Sequence, residues 1–193
     1  MFIYHVLAVI AFFVFIAIWL LLDTEVVHKI DRFGEQLFGG NEVLQFFHYF
    51  GEVWFVTLVG VVFVIYFYMK KKYRKIVFIL FTYVGGTIIN QVIKYIVERP
   101  RPIIPDQLTS YSFPSGHSML SMLYMMTTAY LVTSGMERKY KRIAFTIAAC
   151  GTLLVGLSRV AGARHFMSDV FGGWTLGFAC FMLVVYWYTK TKK

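Results

Sequence analysis

The stretch "GLSRVAGARHFMSD", residues 156–169, separates two long apolar runs, 143–157 and 170–188. Both runs approach or exceed the length that a helix needs to cross the hydrocarbon core of a bilayer. Four ionisable residues lie between them: Arg159, Arg164, His165 and Asp169. Charges at the edge of a membrane cost free energy unless they are paired or used. The stretch therefore predicts a polar, functional connection between two membrane helices.

Long apolar blocks of the same kind run through the rest of the 193-residue chain. Hydrophobic residues make up 59% of it and charged residues 15%, which is too apolar for an ordinary soluble domain. A large soluble helical core would need polar faces at helical period, and the blocks lack them. We predict an all-α integral membrane bundle forming one domain over residues 1–193. The predicted spans are 3–22, 53–69, 76–97, 117–133, 143–158 and 169–189.

The net charge of +9 is distributed in a way that argues against a nucleic-acid partner. The basic clusters are Lys70, Lys71, Lys72, Arg74 and Lys75; Arg138, Lys139, Lys141 and Arg142; and Lys190, Lys192 and Lys193. With six spans, all three clusters fall on one side of the bilayer, and positive loops favour the cytoplasmic side. We therefore expect a multi-pass protein of the cell membrane with both termini cytoplasmic.

The connection between the first two predicted spans, residues 23–52, contains a second type of pattern. Apolar residues recur there at helical spacing, and charged residues fill the gaps. The apolar set is Val26, Val27, Ile30, Phe33, Leu37 and Phe38, and the polar set is Asp23, Lys29, Asp31, Arg32 and Glu35. We predict an amphipathic helix on the membrane surface. It would cap the bundle, and lining a lipid entrance is the alternative.

Two polar stretches fall on the same outward side as residues 156–169. The stretch "KYIVERPRP", residues 94–102, contains Lys94 and Arg101. Lys94 would lie ~27 Å along its helix, near the membrane edge, where a lysine can also simply reach toward water. The stretch "YSFPSGHS", residues 111–118, leads into the fourth span. Free N–H groups at that helix start would favour an anion around Ser115 and Gly116, while a plain helix cap is equally compatible with the pattern.

His165 and Asp169 stand four residues apart, a spacing that brings two side chains on a helix within hydrogen-bonding reach. A carboxylate bonded to one ring nitrogen fixes the imidazole tautomer and makes the other nitrogen more basic. That arrangement suits a nucleophile, a metal ligand or a purely structural pair. The outward side of the predicted bundle also carries His117 and three cations, Lys94, Arg101 and Arg159. A positive field of this kind needs an anion, and phosphate fits the binding geometry of arginine.

These stretches are similar to the three-part signature of the type-2 phosphatidic acid phosphatase superfamily. The matching motifs are K-x6-RP (94–102), PSGH (114–117) and SR-x5-H-x3-D (158–169), complete and in order. The layout resembles that of bacterial phosphatidylglycerophosphate phosphatases and undecaprenyl pyrophosphate phosphatases. The resemblance implies a membrane lipid phosphatase that uses neither a metal nor another cofactor and has its active site on the extracytoplasmic side.

The resemblance also implies a role for each matching residue. His165, oriented by Asp169, would attack phosphorus, and His117 would protonate the leaving oxygen and later activate water. Phosphoryl oxygens would be bound by Lys94, Arg101, Ser115, Gly116 and Arg159. The expected substrates are lipid phosphates or pyrophosphates, with phosphatidylglycerophosphate, undecaprenyl pyrophosphate and phosphatidate as candidates.

Some questions stay open at the level of sequence. A transporter or channel for an anion would also explain intramembrane charges, and a zinc site from His117, His165 and Asp169 is a further alternative. Arg164 lies outside the signature and suits either a second phosphate or a solvated interface, and the roles of Arg99 and Glu98 are equally open. The oligomeric state is unknown.

Overall fold

The structure is a computed structural model that describes residues 2–191, and within that range every regular element is helical. The α-helices are α1 (Phe2–Leu20), α2 (Glu25–Phe38), α3 (Glu42–Phe46), α4 (Val53–Met69), α5 (Tyr73–Leu80), α6 (Gly86–Val97), α7 (Gly116–Val132), α8 (Arg138–Ala161) and α9 (Met167–Lys190). A short 3-10 helix, Phe47–Gly51, precedes α4, and a turn of π-helix, Phe81–Gly85, joins α5 to α6.

Four helical segments of the described chain are long and apolar enough to cross a membrane. They are Ile3–Leu20, Tyr73–Val97, Arg138–Ala161 and Met167–Lys190. A fifth is reached if Glu42–Gly51 and Val53–Met69, which meet at a bend of 46°, are counted as one broken span. The helix α7 has 17 residues and is not in this set. Length and composition therefore support four or five of the six predicted spans.

Helix α9 is the centre of the bundle, where it packs against α1 and α7, while α7 also packs against α8. Two glycines allow the close approach of α9 to α7. A Cβ atom at Gly173 would lie 2.5 Å from the carbonyl oxygen of Ser115, and one at Gly177 would lie 3.0 Å from that of Met119. Small residues at these positions let the two backbones touch. The contact brings the start of α9 beside the start of α7.

The π-turn at Phe81–Gly85 lies in the middle of the third predicted span. Thr82, fully buried there, donates its hydroxyl to the carbonyls of Phe78 and Ile79. An inserted residue of this kind changes the direction in which the following helical faces point. Beyond it, Asn90 and Lys94 are both buried, and Asn90 reaches the turn before α7 by donating to the Pro114 carbonyl at 3.3 Å.

Helix α2 lies across the end of the bundle, against α8 and α9. Its inner face buries Val27, Asp31 and Gly34, and Gly34 rests on the side chain of Met167. An apolar row on the other side is exposed: Val26, Ile30, Phe33 and Leu37. The burial of Asp31 differs from the sequence pattern, which placed it on the polar surface. The structure pairs it with buried polar groups instead.

The basic connection between α4 and α5 lies at the opposite end of the bundle from the signature residues. Arg74 donates to the Tyr188 carbonyl at the C-terminal end of α9, and Lys75 donates to the Leu131 carbonyl at the C-terminal end of α7. The signature residues of 114–117 and 165–169 lie at the N-terminal ends of the same two helices. Of the predicted basic tail, Lys192 and Lys193 lie outside the described residues.

Candidate active site

One end of the bundle collects every residue that the sequence proposed for the site. Lys94 comes from the last turn of α6, and Arg101 comes from the connection between α6 and α7. Ser115, Gly116 and His117 open α7, Arg159 is in the last turn of α8, and His165 and Asp169 flank the start of α9. Most of these side chains are buried, so the helices enclose the cluster.

His165 and Asp169 form the hydrogen-bonded pair that their spacing suggested. His165 Nδ1 lies 3.3 Å from Asp169 Oδ2, and both residues are buried. Asp169 also accepts the backbone N–H of Phe166 at 2.9 Å, which caps α9, and the hydroxyl of Ser112. His165 itself precedes the helix, in the connection after α8. The carboxylate is therefore fixed by the helix start and in turn fixes the imidazole.

The other ring nitrogen of His165 points toward a cation. Arg101 Nη1 lies 3.2 Å from Nε2 and also donates to the Arg164 carbonyl at 2.7 Å. Burial lowers the pKa of His165 to about 3, although its hydrogen bond to Asp169 acts in the opposite direction. At neutral pH the ring is uncharged, and we assign its proton to Nδ1 because Asp169 accepts there. The lone pair of Nε2 then faces the Arg101 guanidinium.

Two further cations are buried beside this pair. Lys94 is 5% exposed, and its Nζ donates to the carbonyls of Tyr111 at 2.5 Å and Ser112 at 3.2 Å. It is thus held inside the site instead of reaching toward water. Arg159 is 6% exposed, and its Nε has no hydrogen-bond partner among the described residues. An orphaned guanidinium donor in a buried pocket favours an anionic ligand there.

The start of α7 provides the remaining groups. Ser115 caps the helix, with its hydroxyl 3.0 Å from that of Ser118, and its backbone N–H donates to the Asp169 carbonyl at 2.9 Å. The N–H of Ser115 therefore joins α7 to α9, which differs from the phosphate contact expected of it. Gly116 and His117 follow in the first turn, where N–H groups have no partner within the helix. A Cβ at Gly116 would meet Asn90 Oδ1 at 3.3 Å.

His117 faces a carboxylate that the sequence did not reveal. Its Nε2 lies 3.2 Å from Glu52 Oε1, an ion-pair distance, with side-chain exposures of 19% and 35%. The two atoms are not aligned for a hydrogen bond. Glu52 precedes α4, and the neighbouring Gly51 packs directly on the His117 ring. The carboxylate is thus a close neighbour of the His117 ring that no motif predicted.

Three more charged residues of this end of the bundle are not signature positions. Arg99, which the sequence left unassigned, binds Asp169 and also Asp31 of α2. Arg164 donates to the Asp106 carbonyl at 2.7 Å, so it ties two connections together. Glu98 accepts a hydrogen bond from the Tyr111 hydroxyl at 2.9 Å. No local pattern marks Asp31 or Glu52, because each meets its partner only through packing.

The donor set was also compared with that of a metal centre. Within residues 2–191, no group of three or more His, Cys, Asp or Glu side chains is arranged to hold a metal ion. Asp169 is already occupied by Arg99, Ser112 and His165. The zinc alternative built from His117, His165 and Asp169 therefore has no geometric support.

Comparison with known proteins places this site in a family. A profile described as the PAP2 superfamily matches residues 75–193. Phosphatidylglycerophosphatase B of Bacillus subtilis (strain 168) is 35% identical over 133 residues, which cover 66% of this chain and 64% of that protein. An undecaprenyl-diphosphatase of Sulfolobus acidocaldarius is 32% identical over 116 residues, covering 55% and 52%. These alignments span less than two thirds of either relative.

A solved structure agrees over nearly the whole fold. It is the crystal structure of a transmembrane PAP2-type phosphatidylglycerolphosphate phosphatase from Bacillus subtilis, with a TM-score of 0.83 and 28% sequence identity. The superposition covers 96% of this chain and 98% of that one. The helical bundle and the arrangement of its connections are therefore similar in the two proteins.

Proposed function

The chain belongs to the PAP2 superfamily, and from that membership we propose that it removes the terminal phosphate of a membrane lipid phosphate or pyrophosphate. One observation carries the proposal. His165, with Asp169 on one ring nitrogen, turns its other nitrogen toward Arg101, and the buried cations Lys94 and Arg159 belong to the same cluster. A neutral nucleophile surrounded by fixed cations is suited to attack on an anionic phosphoryl group.

In the proposed first step, Nε2 of His165 bonds to phosphorus while the bond from phosphorus to the lipid oxygen breaks. His117 gives its proton to that departing oxygen. Glu52 lies 3.2 Å from Nε2 of His117, close enough to interact with the proton that this role requires. The lipid leaves with a hydroxyl group, or with one phosphate fewer, and phosphate stays on His165.

In the second step, water attacks the phosphorus atom and gives its proton to His117. The phosphorus–nitrogen bond breaks, which restores His165 and releases inorganic phosphate. Lys94, Arg101, Arg159 and the first-turn N–H groups at Gly116 would bind the phosphoryl oxygens. They accelerate the reaction to the extent that they stabilise the charge of the transition state better than that of the substrate. These cations occupy the position that a metal holds in many other phosphoryl-transfer enzymes.

The substrate would be amphiphilic, because the pocket lies at the end of apolar helices. Its phosphate would enter among the cations while its tail remained in the bilayer. The relatives named above are a phosphatidylglycerophosphatase and an undecaprenyl-diphosphatase. We propose phosphatidylglycerophosphate or undecaprenyl pyrophosphate as the substrate.

We also propose the topology predicted from the sequence. Six spans result if α4 and α7 cross together with α1, α5–α6, α8 and α9, since 17 residues reach ~26 Å. The basic connections would then face the cytoplasm, and the site, at the other end of the bundle, would face outward. Helix α2 would lie at that surface with its exposed apolar row toward the lipid.

Transport of an anion was the competing hypothesis. A transporter is expected to place its polar residues near the bilayer midplane on interrupted helices. Here the cations and both histidines lie at one end of the bundle, at the starts and ends of helices. No specific observation favours transport, so we retain the phosphatase alone.

The direct test is phosphate release by the purified protein in detergent, with EDTA present. The three candidate lipids would be phosphatidylglycerophosphate, undecaprenyl pyrophosphate and phosphatidate. We expect release that EDTA does not inhibit and that the His165→Ala variant lacks. His28→Ala, an exposed position on α2, is the matched control and should behave like wild type. Loss of all release with EDTA, or full activity of His165→Ala, would exclude the mechanism.

A further inference from the structure

Arg99 bridges two carboxylates beneath the proposed nucleophile. Its Nη1 lies 2.6 Å from Asp169 Oδ1, and its Nη2 lies 2.8 Å from Asp31 Oδ2. The guanidinium also lies over the Phe166 ring, 4.4 Å from its centroid. All three members are shielded from solvent, with side-chain exposures of 11% for Arg99, 6% for Asp31 and none for Asp169.

Asp31 is bound to the other side of the same helix start. Its Oδ1 accepts the backbone N–H of Ser168 at 2.8 Å, and its Oδ2 accepts the Ser168 hydroxyl at 2.9 Å. Ser168 Oγ in turn accepts from Arg99 Nη1 at 2.7 Å. Asp31 thus uses both carboxylate oxygens to connect α2 to Ser168, the residue next to Asp169. Within residues 2–191 it makes no hydrogen bond to His165, Lys94, Arg101 or Arg159.

The charges of this cluster explain why a second carboxylate is present. Arg99 alone would neutralise Asp169 in a buried environment, where charges interact strongly. Asp31 neutralises Arg99, so the three groups together keep a net charge of −1 next to His165. When phosphate bonds to Nε2 while Nδ1 keeps its proton, the ring becomes cationic. Asp169 stabilises that cationic ring when its negative charge is not cancelled. If Arg99 neutralised Asp169 alone, the carboxylate would stabilise the ring less.

We propose that Asp31 is a positioning residue for phosphoryl transfer: it holds and neutralises Arg99, so that Asp169 keeps both its orientation and its effective charge toward His165. The inference rests on the proposed phosphohistidine function. It assigns to α2 a part in the chemistry, in addition to covering the bundle.

The test separates the rate of chemistry from the amount of folded enzyme. Wild type and the Asp31→Asn variant would be mixed rapidly with phosphate-labelled lipid, and the labelled histidine would be followed over time. The burst amplitude counts active sites, and the rate constant reports phosphoryl transfer at each site. For Asp31→Asn we expect the rate constant to fall roughly tenfold or more, as is typical when a group that orients a catalytic ligand is lost. KM should change less than about twofold, because the cation pocket is intact.

Two controls make the result specific. Glu35→Gln removes an exposed carboxylate one turn further along α2 and should match wild type. The double variant Asp31→Asn/Arg99→Gln removes the uncompensated cation together with its partner, so its rate constant should exceed that of Asp31→Asn. A structural role alone would lower the amplitude and leave the rate constant per labelled site unchanged, which would overturn the inference.

Arg99→Lys provides a second test if Asp31→Asn folds poorly. A lysine keeps the charge but lacks the planar fork that reaches two carboxylates at once. Its rate constant should fall while KM stays within about twofold of wild type, and an unchanged rate constant would again contradict the inference. If wild type itself forms no labelled histidine, the proposed function fails and this inference fails with it. Normal labelling by wild type and Asp31→Asn alike would reject only the role of Asp31.

Discussion

At the scale of single residues, the site places the proposed nucleophile, an uncharged histidine, among fixed cations. His165 is held by Asp169 on one side and meets Arg101 on the other, while Arg159 Nε has no hydrogen-bond partner within residues 2–191. The two kinds of residue should respond differently to mutation. In the proposed mechanism the two histidines act on the reacting bonds, whereas the cations bind the phosphoryl oxygens in both substrate and transition state.

The assigned roles predict different kinetic signatures for His117 and Arg159. His117→Ala should reduce kcat by at least about 100-fold with little change in lipid binding, because the general acid acts only in the transition state. Arg159→Ala should weaken both kcat and lipid binding, because it removes a phosphate ligand. Steady-state kinetics combined with binding of a non-hydrolysable lipid phosphonate would measure the two effects. Equal losses of binding in both variants would contradict the assignment.

The depressed pKa of His165 predicts an acid-sensitive fold. Burial lowers the pKa from its ordinary value of 6.5 to about 3, so between these values the unfolded chain binds a proton that the folded chain does not. Stability must therefore decrease as pH falls through this window. The thermal unfolding temperature in detergent should drop more between pH 7.5 and 5 for wild type than for His165→Asn. The same drop in both would show that other groups are responsible.

At the scale of elements, the active site depends on how closely α9 approaches α7. The Ser115 N–H bonds the Asp169 carbonyl at 2.9 Å, and Gly173 leaves room for the Ser115 carbonyl one turn later. The starts of the two helices are thus joined by backbone contacts, which fix the pair His165–Asp169 relative to His117. The π-turn before α6 sets the direction in which the following helical faces point, and so helps to place Asn90 and Lys94.

A methyl group at Gly173 should separate the two helices. A Cβ there would lie 2.5 Å from a backbone oxygen, so the backbone must shift. We expect Gly173→Ala to cost about 1–3 kcal/mol of stability and to reduce activity more strongly than stability alone explains. Gly85→Ala is the control, since a Cβ at that position meets no atom within 4 Å. Unfolding temperature and activity per folded molecule would both be measured. If both equal the wild-type values in Gly173→Ala, the contact between α7 and α9 is not as close as inferred.

At the scale of the whole molecule, the bundle separates two chemically different ends. One end holds the cations and histidines of the site, and the other holds the basic connection that binds the C-terminal ends of α7 and α9. The amphipathic α2 covers the first end, and through Asp31 it also reaches Asp169. In the proposed orientation, substrate phosphate meets the site at the outer surface.

Single cysteines can test this orientation. In a variant lacking Cys150 and Cys180, Thr109→Cys at the site end and Ser134→Cys at the basic end are both exposed positions. We expect a membrane-impermeant maleimide to label Thr109→Cys in intact cells, and Ser134→Cys only after the membrane is opened. The reverse pattern would place the active site on the cytoplasmic side, and labelling of both in intact cells would reject the six-span arrangement.

The sequence by itself determined the features that depend on local order. The length of the apolar blocks predicted an all-helical membrane bundle. The motifs in three connections predicted which side chains form the candidate site. Their meeting at one end of the bundle follows from the connections between helices, which alternate between the two ends. The spacing of His165 and Asp169 predicted their contact from helix geometry, but His165 precedes α9, and the turn that caps this helix makes the contact.

Only the tertiary structure decided the partners that come from distant parts of the chain. Asp31 lies 137 positions before Ser168, and Arg99 lies 70 positions before Asp169. Neither Asp31 nor Glu52 stands in a motif, and an isolated carboxylate on an amphipathic helix is ordinarily solvated. Packing of α2 against α9 buries Asp31, whereas packing of the α4 start against α7 leaves Glu52 half-buried beside His117. Each buried charge then requires a partner, and the folded bundle, not the order of residues, determines which partner is within reach.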